Sequence, residues 1–353
     1  MAWINIIIIS LSLWAKDLPK FLTKHSLDSI RYISLDGQFA YLQKKQGVLG
    51  LVNSFKTIDF ISETSFSDFL VRDSRFKQRL IIEVIPQAHQ EMNFIKNHKI
   101  LVVDWGKTQT KEIGFGKSAR LHLNDEWISY YDATERTIYL QNVLTQKKFQ
   151  IKLSPKLSPF YTPEVEMVSQ DTVVYTDINE KGFVGLVQFN LITQKSLVLY
   201  KASQTGTRIE LCQQKDYLAF GEFPYDDLNR SSKILQIKLS ASTNLAGFST
   251  LYSSTDSDLG HMVCLENHIY FIKTLTQLRK INFKQTEAVK LDLKTTQLQT
   301  VSELGTVNQI IAMDGRVLIP YRGEFFVIEG GANLTDDRLK APATKEEELP
   351  LEL

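Results

Sequence analysis

The sequence predicts an all-β chain built from one repeated antiparallel unit, and three observations carry that reading. The first is a recurring turn. An apolar residue, a short polar turn and an apolar or aromatic run appear as "LDGQFAY" at Leu35, "LNDEWIS" at Leu123, "VSQDTVV" at Val168, "QQKDYLA" at Gln213, "LENHIYF" at Leu265 and "MDGRVLI" at Met313. The anchor positions are Gly37, Asp125, Gln170, Lys215, Asn267 and Gly315. One double-length gap is filled by a degenerate copy, "DSRFKQRLIIEVI", from Asp73 to Ile85. The second observation is the period, about 46 residues, which lies in the range of radial β-repeats. The third is the alternation of apolar and polar residues in runs of about five to eight, with amphipathic helical spacing nearly absent. Together they predict a seven-bladed β-propeller of four-stranded antiparallel blades over residues 29–330. A single four-stranded unit has two apolar faces and buries both only by stacking on neighbours in a ring.

Within a unit, the first turn joins strands one and two. Asp-Gly serves there at Asp36 and Asp314, because glycine takes positive φ at little cost. Short hairpins of the type "LTQK" at Leu144, "LITQK" at Leu191 and "LKTTQ" at Leu293 join strands three and four. The second-to-third strand connections gather on one face, and the longest is "FPYDDLNRSSK", from Phe223 to Lys233. The last unit shows only three strands, ending in "EFFVIEGG". "LPKFLTKHSL", within residues 16–28, is expected to supply a closing strand, because an open apolar edge is a liability. Residues 331–353 are polar, proline-containing and acidic at their end, the composition of a disordered tail.

The chain has 353 residues, 43% hydrophobic and 23% charged, with a formal net charge of +1. That balance gives no electrostatic case for nucleic acid or an anionic membrane. Residues 1–15 open with an apolar run from Trp3 to Trp14, the length of a signal-peptide core and too short to span a bilayer, and Ala15 suits a cleavage site. Export to a periplasmic or extracellular location is therefore expected. No other segment reaches transmembrane length.

The turn-plus-strand "LNDEWISYYD" at Leu123 and the closing hairpin "VQFNLITQKSLVLY" at Val187 resemble those of the β-propeller superfamily, and loosely its periplasmic TolB-type and quinoprotein-like secreted members. The resemblance covers residues 29–330. It implies the propeller fold and a secreted setting. The chain departs from WD repeats, kelch repeats and quinoprotein blades in lacking their signature residues, so no family residue carries over as catalytic.

The chemistry-bearing residues form no catalytic motif. The six histidines make neither His-x-His nor His-Glu-x-x-His, and no Gly-x-Ser-x-Gly or phosphate loop is present. "DSDLGH" gathers Asp256, Asp258 and His261, metal-capable residue types at the start of a blade, where the plainer reading is a polar inter-blade loop. Phe223, Tyr225, Asp226, Asp227 and Arg230, in the longest connection, have the aromatic and charged mixture of a partner-contact surface. Cys212 and Cys264 sit at the same offset from their anchors. They are expected on the innermost strands of adjacent blades, as free buried thiols too far apart to bond. The functional expectation is a secreted, non-catalytic protein–protein interaction or scaffold module of a bacterial-type envelope, without a cofactor. The alternative is a propeller hydrolase or lyase with a metal at the central channel.

Overall fold

The computed structural model describes residues 30–35, 38–43, 48–51, 57–59, 66–73, 79–86, 97–104, 109–123, 125–154, 161–213, 217–224, 231–238, 247–265, 267–277, 280–304, 310–313, 316–321 and 324–328. These residues form strands and turns only. The expected signal peptide, N-terminal closing strand and acidic tail lie outside them. The chain divides into two compact units, Met1–Pro163 and Glu164–Leu353.

In the first unit, β1 (Ile30–Leu35), β2 (Gln38–Gln43), β3 (Val48–Leu51) and β4 (Thr57–Asp59) form a four-stranded antiparallel sheet. The next seven strands share one sheet: β5 (Phe66–Asp73), β6 (Arg79–Pro86), β7 (His98–Asp104), β8 (Gln109–His122), β9 (Trp127–Asp132), β10 (Thr137–Asn142) and β11 (Lys148–Lys152). The second unit holds three meanders of four strands. They are β12 (Val165–Ser169) to β15 (Lys195–Lys201) through β13 (Thr172–Ile178) and β14 (Val184–Asn190); β16 (Thr207–Gln213) to β19 (Phe248–Ser254) through β17 (Tyr217–Pro224) and β18 (Ser232–Lys238); and β20 (Ser257–Leu265) to β23 (Leu298–Leu304) through β21 (His268–Gln277) and β22 (Lys280–Asp292). A three-stranded sheet of β24 (Ile311–Met313), β25 (Arg316–Tyr321) and β26 (Glu324–Ile328) follows.

The all-β class and the four-stranded antiparallel blade are as the sequence predicts. The expectation of seven separate four-stranded sheets is corrected: four sheets are of that kind, one is seven-stranded and one is three-stranded. The physical reason is β8. This strand of 14 residues first pairs with β7, from Gln109 to Gly116, and then with β9, from Lys117 to His122. One unbroken strand thus closes one meander and opens the next.

Five anchors fall between the first and second strands of their sheets, and Asp125 falls between β8 and β9 within the seven-stranded sheet. β1 and β2 end their pairing at Leu35 and Gln38, β20 and β21 at Leu265 and His268, and β24 and β25 at Met313 and Arg316. Where other copies use glycine, Asp125 itself takes φ 66°. The Arg79 backbone N–H and guanidinium donate to its carboxylate and carbonyl at 3.1 and 2.7 Å, which holds this buried turn. The core lies between sheets. Cys212, Ala219, Phe223 and Ile234 of one blade pack with Leu259, Met262, Ile269, Phe271, Val289 and Leu291 of the next.

The third-to-fourth strand hairpins are one device used three times. Asn142 Oδ1 accepts the N–H groups of Leu144 and Thr145, Asn190 Oδ1 those of Ile192 and Thr193, and Asp292 Oδ1 those of Lys294 and Thr295. The residue closing each turn, Gln146, Gln194 or Thr296, has φ between 54° and 63°.

Candidate functional site

Arg208, Glu210 and Cys212 alternate along β16, so they share one face of that strand. Ile209 and Leu211 between them are buried. The β16 charges meet β20 where its ladder breaks. Gly260 pairs with Ile272 and Val263 with Tyr270, so His261 and Met262 together span the place of one partner. His261 absorbs the bulge at φ 52°, a left-handed conformation that costs a side-chain-bearing residue about 1–2 kcal/mol.

Glu210 holds this distortion in place. Its Oε2 accepts the Met262 N–H at 2.8 Å, and its Oε1 lies 3.2 Å from Arg208 Nη2. The Arg208 guanidinium lies over the Phe223 ring at 5.6 Å and donates a long bond of 3.5 Å to the Leu259 carbonyl. A Cβ on Gly260 would stand 2.5 Å from Arg208 Nη2, so any side chain there would displace the guanidinium. The same construction appears in the first unit. Ser118 of β8 takes φ 53°, and the following Ala119 N–H donates to buried Glu83 at 2.8 Å.

Cys212 and Cys264 are joined by a disulfide across β16 and β20, with Cα atoms 5.5 Å apart. This corrects the expectation of free thiols. The two strands approach more closely at the bulge than adjacent inner strands were expected to, and 5.5 Å lies inside the range a disulfide spans.

Asp258 and His261 both reach solvent on β20. Yet loss of hydration is the largest influence on each. It raises the Asp258 carboxyl above its ordinary value, against the opposing pull of Arg208. It lowers the His261 imidazole, opposed by Glu210 and Asp258 and reinforced by Arg208. Asp256 is engaged elsewhere. It accepts bonds from the Ser254 and Ser257 hydroxyls at 2.7 and 2.9 Å, which lower its pKa, and its cationic neighbour is Lys273. The structure therefore brings Asp258 and His261 together and gives Asp256 separate partners. Among the described residues no group of three or more His, Cys, Asp or Glu side chains is arranged to hold a metal ion.

Phe223, expected on the contact surface, is buried. β17 runs as far as Pro224, so Phe223 is still a strand residue paired with Arg208, and it faces the core. Tyr225, Asp226, Asp227 and Arg230 lie outside the described residues. The register still fixes which end their connection leaves from: Pro224 pairs with Thr207, the first residue of β16, at the end of the sheet that carries Arg208. Arg208 and Glu210 escaped the sequence reading. The available signal was the i, i+2, i+4 alternation of Arg208, Glu210 and Cys212 within "TRIELCQ".

No family model matches the chain, and no curated protein matches it. Solved structures do. An oligogalacturonate lyase in complex with manganese superposes with a TM-score of 0.51 at 9% identity, over 82% of this chain and 77% of that one. The tricorn protease gives 0.53 at 11% identity over 87% of this chain, which spans only 35% of that protein's length. The β-propeller domain of the Trilobed protease from Pyrococcus furiosus gives 0.52 at 11% identity, over 86% of this chain and 98% of the domain. At these identities the likeness concerns fold alone, and the fold is a β-propeller.

Proposed function

We propose that the chain is an exported propeller that acts by binding a protein partner, as a non-catalytic interaction or scaffold module of the envelope. The contact end is the one where β16 and β20 begin, with Asp258 and His261 as its described contact groups and Tyr225 and Arg230 on the connection that leaves the same end. The observation that carries the reading is the pinned bulge at His261. Backbone strain of this kind persists only where surrounding structure enforces it, and it concentrates where a side chain must be presented in a fixed position. Glu210 uses one carboxylate oxygen to hold the bulge and the other to pair with Arg208, and Asp256 is engaged by two serines. Asp258 and His261 are left to face a ligand with one charge and one imidazole, a recognition pair.

The disulfide supports export, because such bonds form and persist in oxidising compartments. The test is co-purification of the tagged protein from its native envelope. Asp258→Asn/His261→Ala and Tyr225→Ala/Arg230→Ala double variants should each lose the partner while keeping the wild-type melting temperature. A partner retained by both would remove this end of the sheets from consideration. A stoichiometric metal in the purified wild-type protein, lost in the Asp258 variant, would favour the enzyme reading instead.

A further inference from the structure

A second surface lies at the outer rim of the sheets. Leu197 and Val198 of β15 are 50% and 66% exposed, Ile192 in the turn before them 74%, and Phe248 at the start of β19 50%. By register, Leu197 pairs with Gln188 and Tyr200 with Leu186, so Leu197 and Tyr200 share one face of their sheet. That face meets the neighbouring blade. Tyr200 lies 4.9 Å from the fully buried Phe220 and 5.1 Å from Phe248, ring centre to ring centre. The result is an apolar patch between two outer strands, in which Tyr200 and Phe248 pack over the fully buried Phe220 and Leu197 and Phe248 are half exposed.

The patch is held in place. The Tyr200 hydroxyl donates to the buried Glu222 carboxylate, which also accepts the Ser203 N–H and hydroxyl at 2.8 and 2.7 Å. Its border is basic. The turn and strand from Asn190 to Lys201, with β18 and β19, contain Lys195, Lys201, Lys233 and Lys238 and no Asp or Glu. Lys195 and Lys238 are exposed beside the patch.

We infer that this rim docks an acidic protein segment bearing a leucine or aromatic anchor, the anchor seated between Leu197 and Phe248 and the carboxylates facing Lys195 and Lys238. Docking is by side chains rather than by strand addition. The β15 ladder shifts between Val198 and Tyr200, leaving Leu199 as an extra residue, and such a bulge spoils an edge for further pairing.

The probe is a labelled synthetic decapeptide alternating glutamate with leucine and phenylalanine, followed by fluorescence anisotropy on the full chain. Binding should weaken as salt rises. A version with lysine for glutamate should not bind. Phe248→Ser and the Lys195→Glu/Lys238→Glu pair should each weaken binding by about fivefold or more, as truncating an anchor does. Lys290→Glu, on another sheet, should leave it unchanged, and the lysine variants should melt with the wild type. Three outcomes overturn the inference: no binding, equal binding of the lysine peptide, or variants that bind normally. Binding to phosphatidylserine vesicles without binding to the peptide would assign the rim to a membrane instead. Asp258→Asn/His261→Ala should not affect the peptide, which separates this surface from the proposed contact end.

Discussion

At the scale of single residues, environment overrides chemical type. Phe223 reads as a contact aromatic within "FPYDDLNR", yet β17 carries it inward. There its ring fills the space over Gly221, where a Cβ would lie 2.0 Å from it. His261 shows the converse, an exposed imidazole whose titration is set by lost hydration. Its folded pKa lies below the ordinary 6.5, so on acidification the unfolded chain takes up this proton before the folded one. Stability should therefore fall as pH drops below about 6.5, and this loss should be complete once pH passes the lowered folded value. Asp258 works in the opposite sense. Its folded pKa is raised above 3.8, so the folded state protonates first, and stability is regained as pH falls toward 3.8. NMR titration of the ring should give a His261 midpoint below 6.5, and Asp258→Asn should lower it further by removing a favourable charge. His261→Asn should flatten the decline in melting temperature just below pH 6.5. A midpoint at or above 6.5 would mean that the Glu210 and Asp258 carboxylates outweigh the lost hydration. The sequence exposed Asp258 and His261 because they stand three residues apart in one run. Arg208 and Glu210 stayed hidden because they come from another blade, about 50 residues upstream, where only a structure shows which strand they face.

At the scale of elements, what was legible was what turn chemistry encodes locally. "NVLTQK", "NLITQK" and "DLKTTQ" share an Asn or Asp whose side chain caps two backbone N–H groups and a left-handed residue that closes the turn. Four residues suffice to specify that geometry, so all three hairpins could be placed from sequence. The outer-strand bulges were not legible. Register shifts leave Ile113, Leu199, Leu251 and Val301 as extra residues in β8, β15, β19 and β23. An apolar residue in an alternating strand gives no sign that its ladder slips by one. These bulges kink the edges that the blades would otherwise offer for aggregation. The continuity of β8 was hidden for a similar reason, since its bend at Ser118 uses no glycine or proline. The hairpin cap can be tested alone. Asn190→Ala removes two side-chain-to-backbone bonds at an exposed turn and should destabilise by about 1 kcal/mol, measured by urea denaturation. Asn190→Asp should retain most of the stability, because a carboxylate already serves at Asp292. Equal loss from both substitutions would show that a carboxylate does not cap this turn.

At the scale of the whole molecule, the disulfide links the fold to the cellular setting. Cys212 and Cys264 are separated by 52 residues and join two sheets that the backbone does not pair. Closing a loop of that size restricts the unfolded chain and should stabilise by about 4 kcal/mol on the chain-entropy account. In a domain whose net stability is of order 5–15 kcal/mol, that is a large share. Such a contribution is available only where thiols can oxidise. If the chain is exported, protein taken from its native location should show no free thiol on alkylation and an N-terminus at or near Lys16. Protein retained in a reducing cytoplasm should alkylate at both cysteines after unfolding and melt at a lower temperature. Cys212→Ser/Cys264→Ser should reproduce the reduced protein's melting temperature in both settings. It should also loosen the His261 bulge, since Cys212 lies two residues beyond Glu210 on the same face of β16, so hydrogen exchange at the Met262 amide should quicken in step with the loss of stability. Native protein with two free thiols and Met1 intact would contradict export and leave the Glu210 bond alone to hold the bulge.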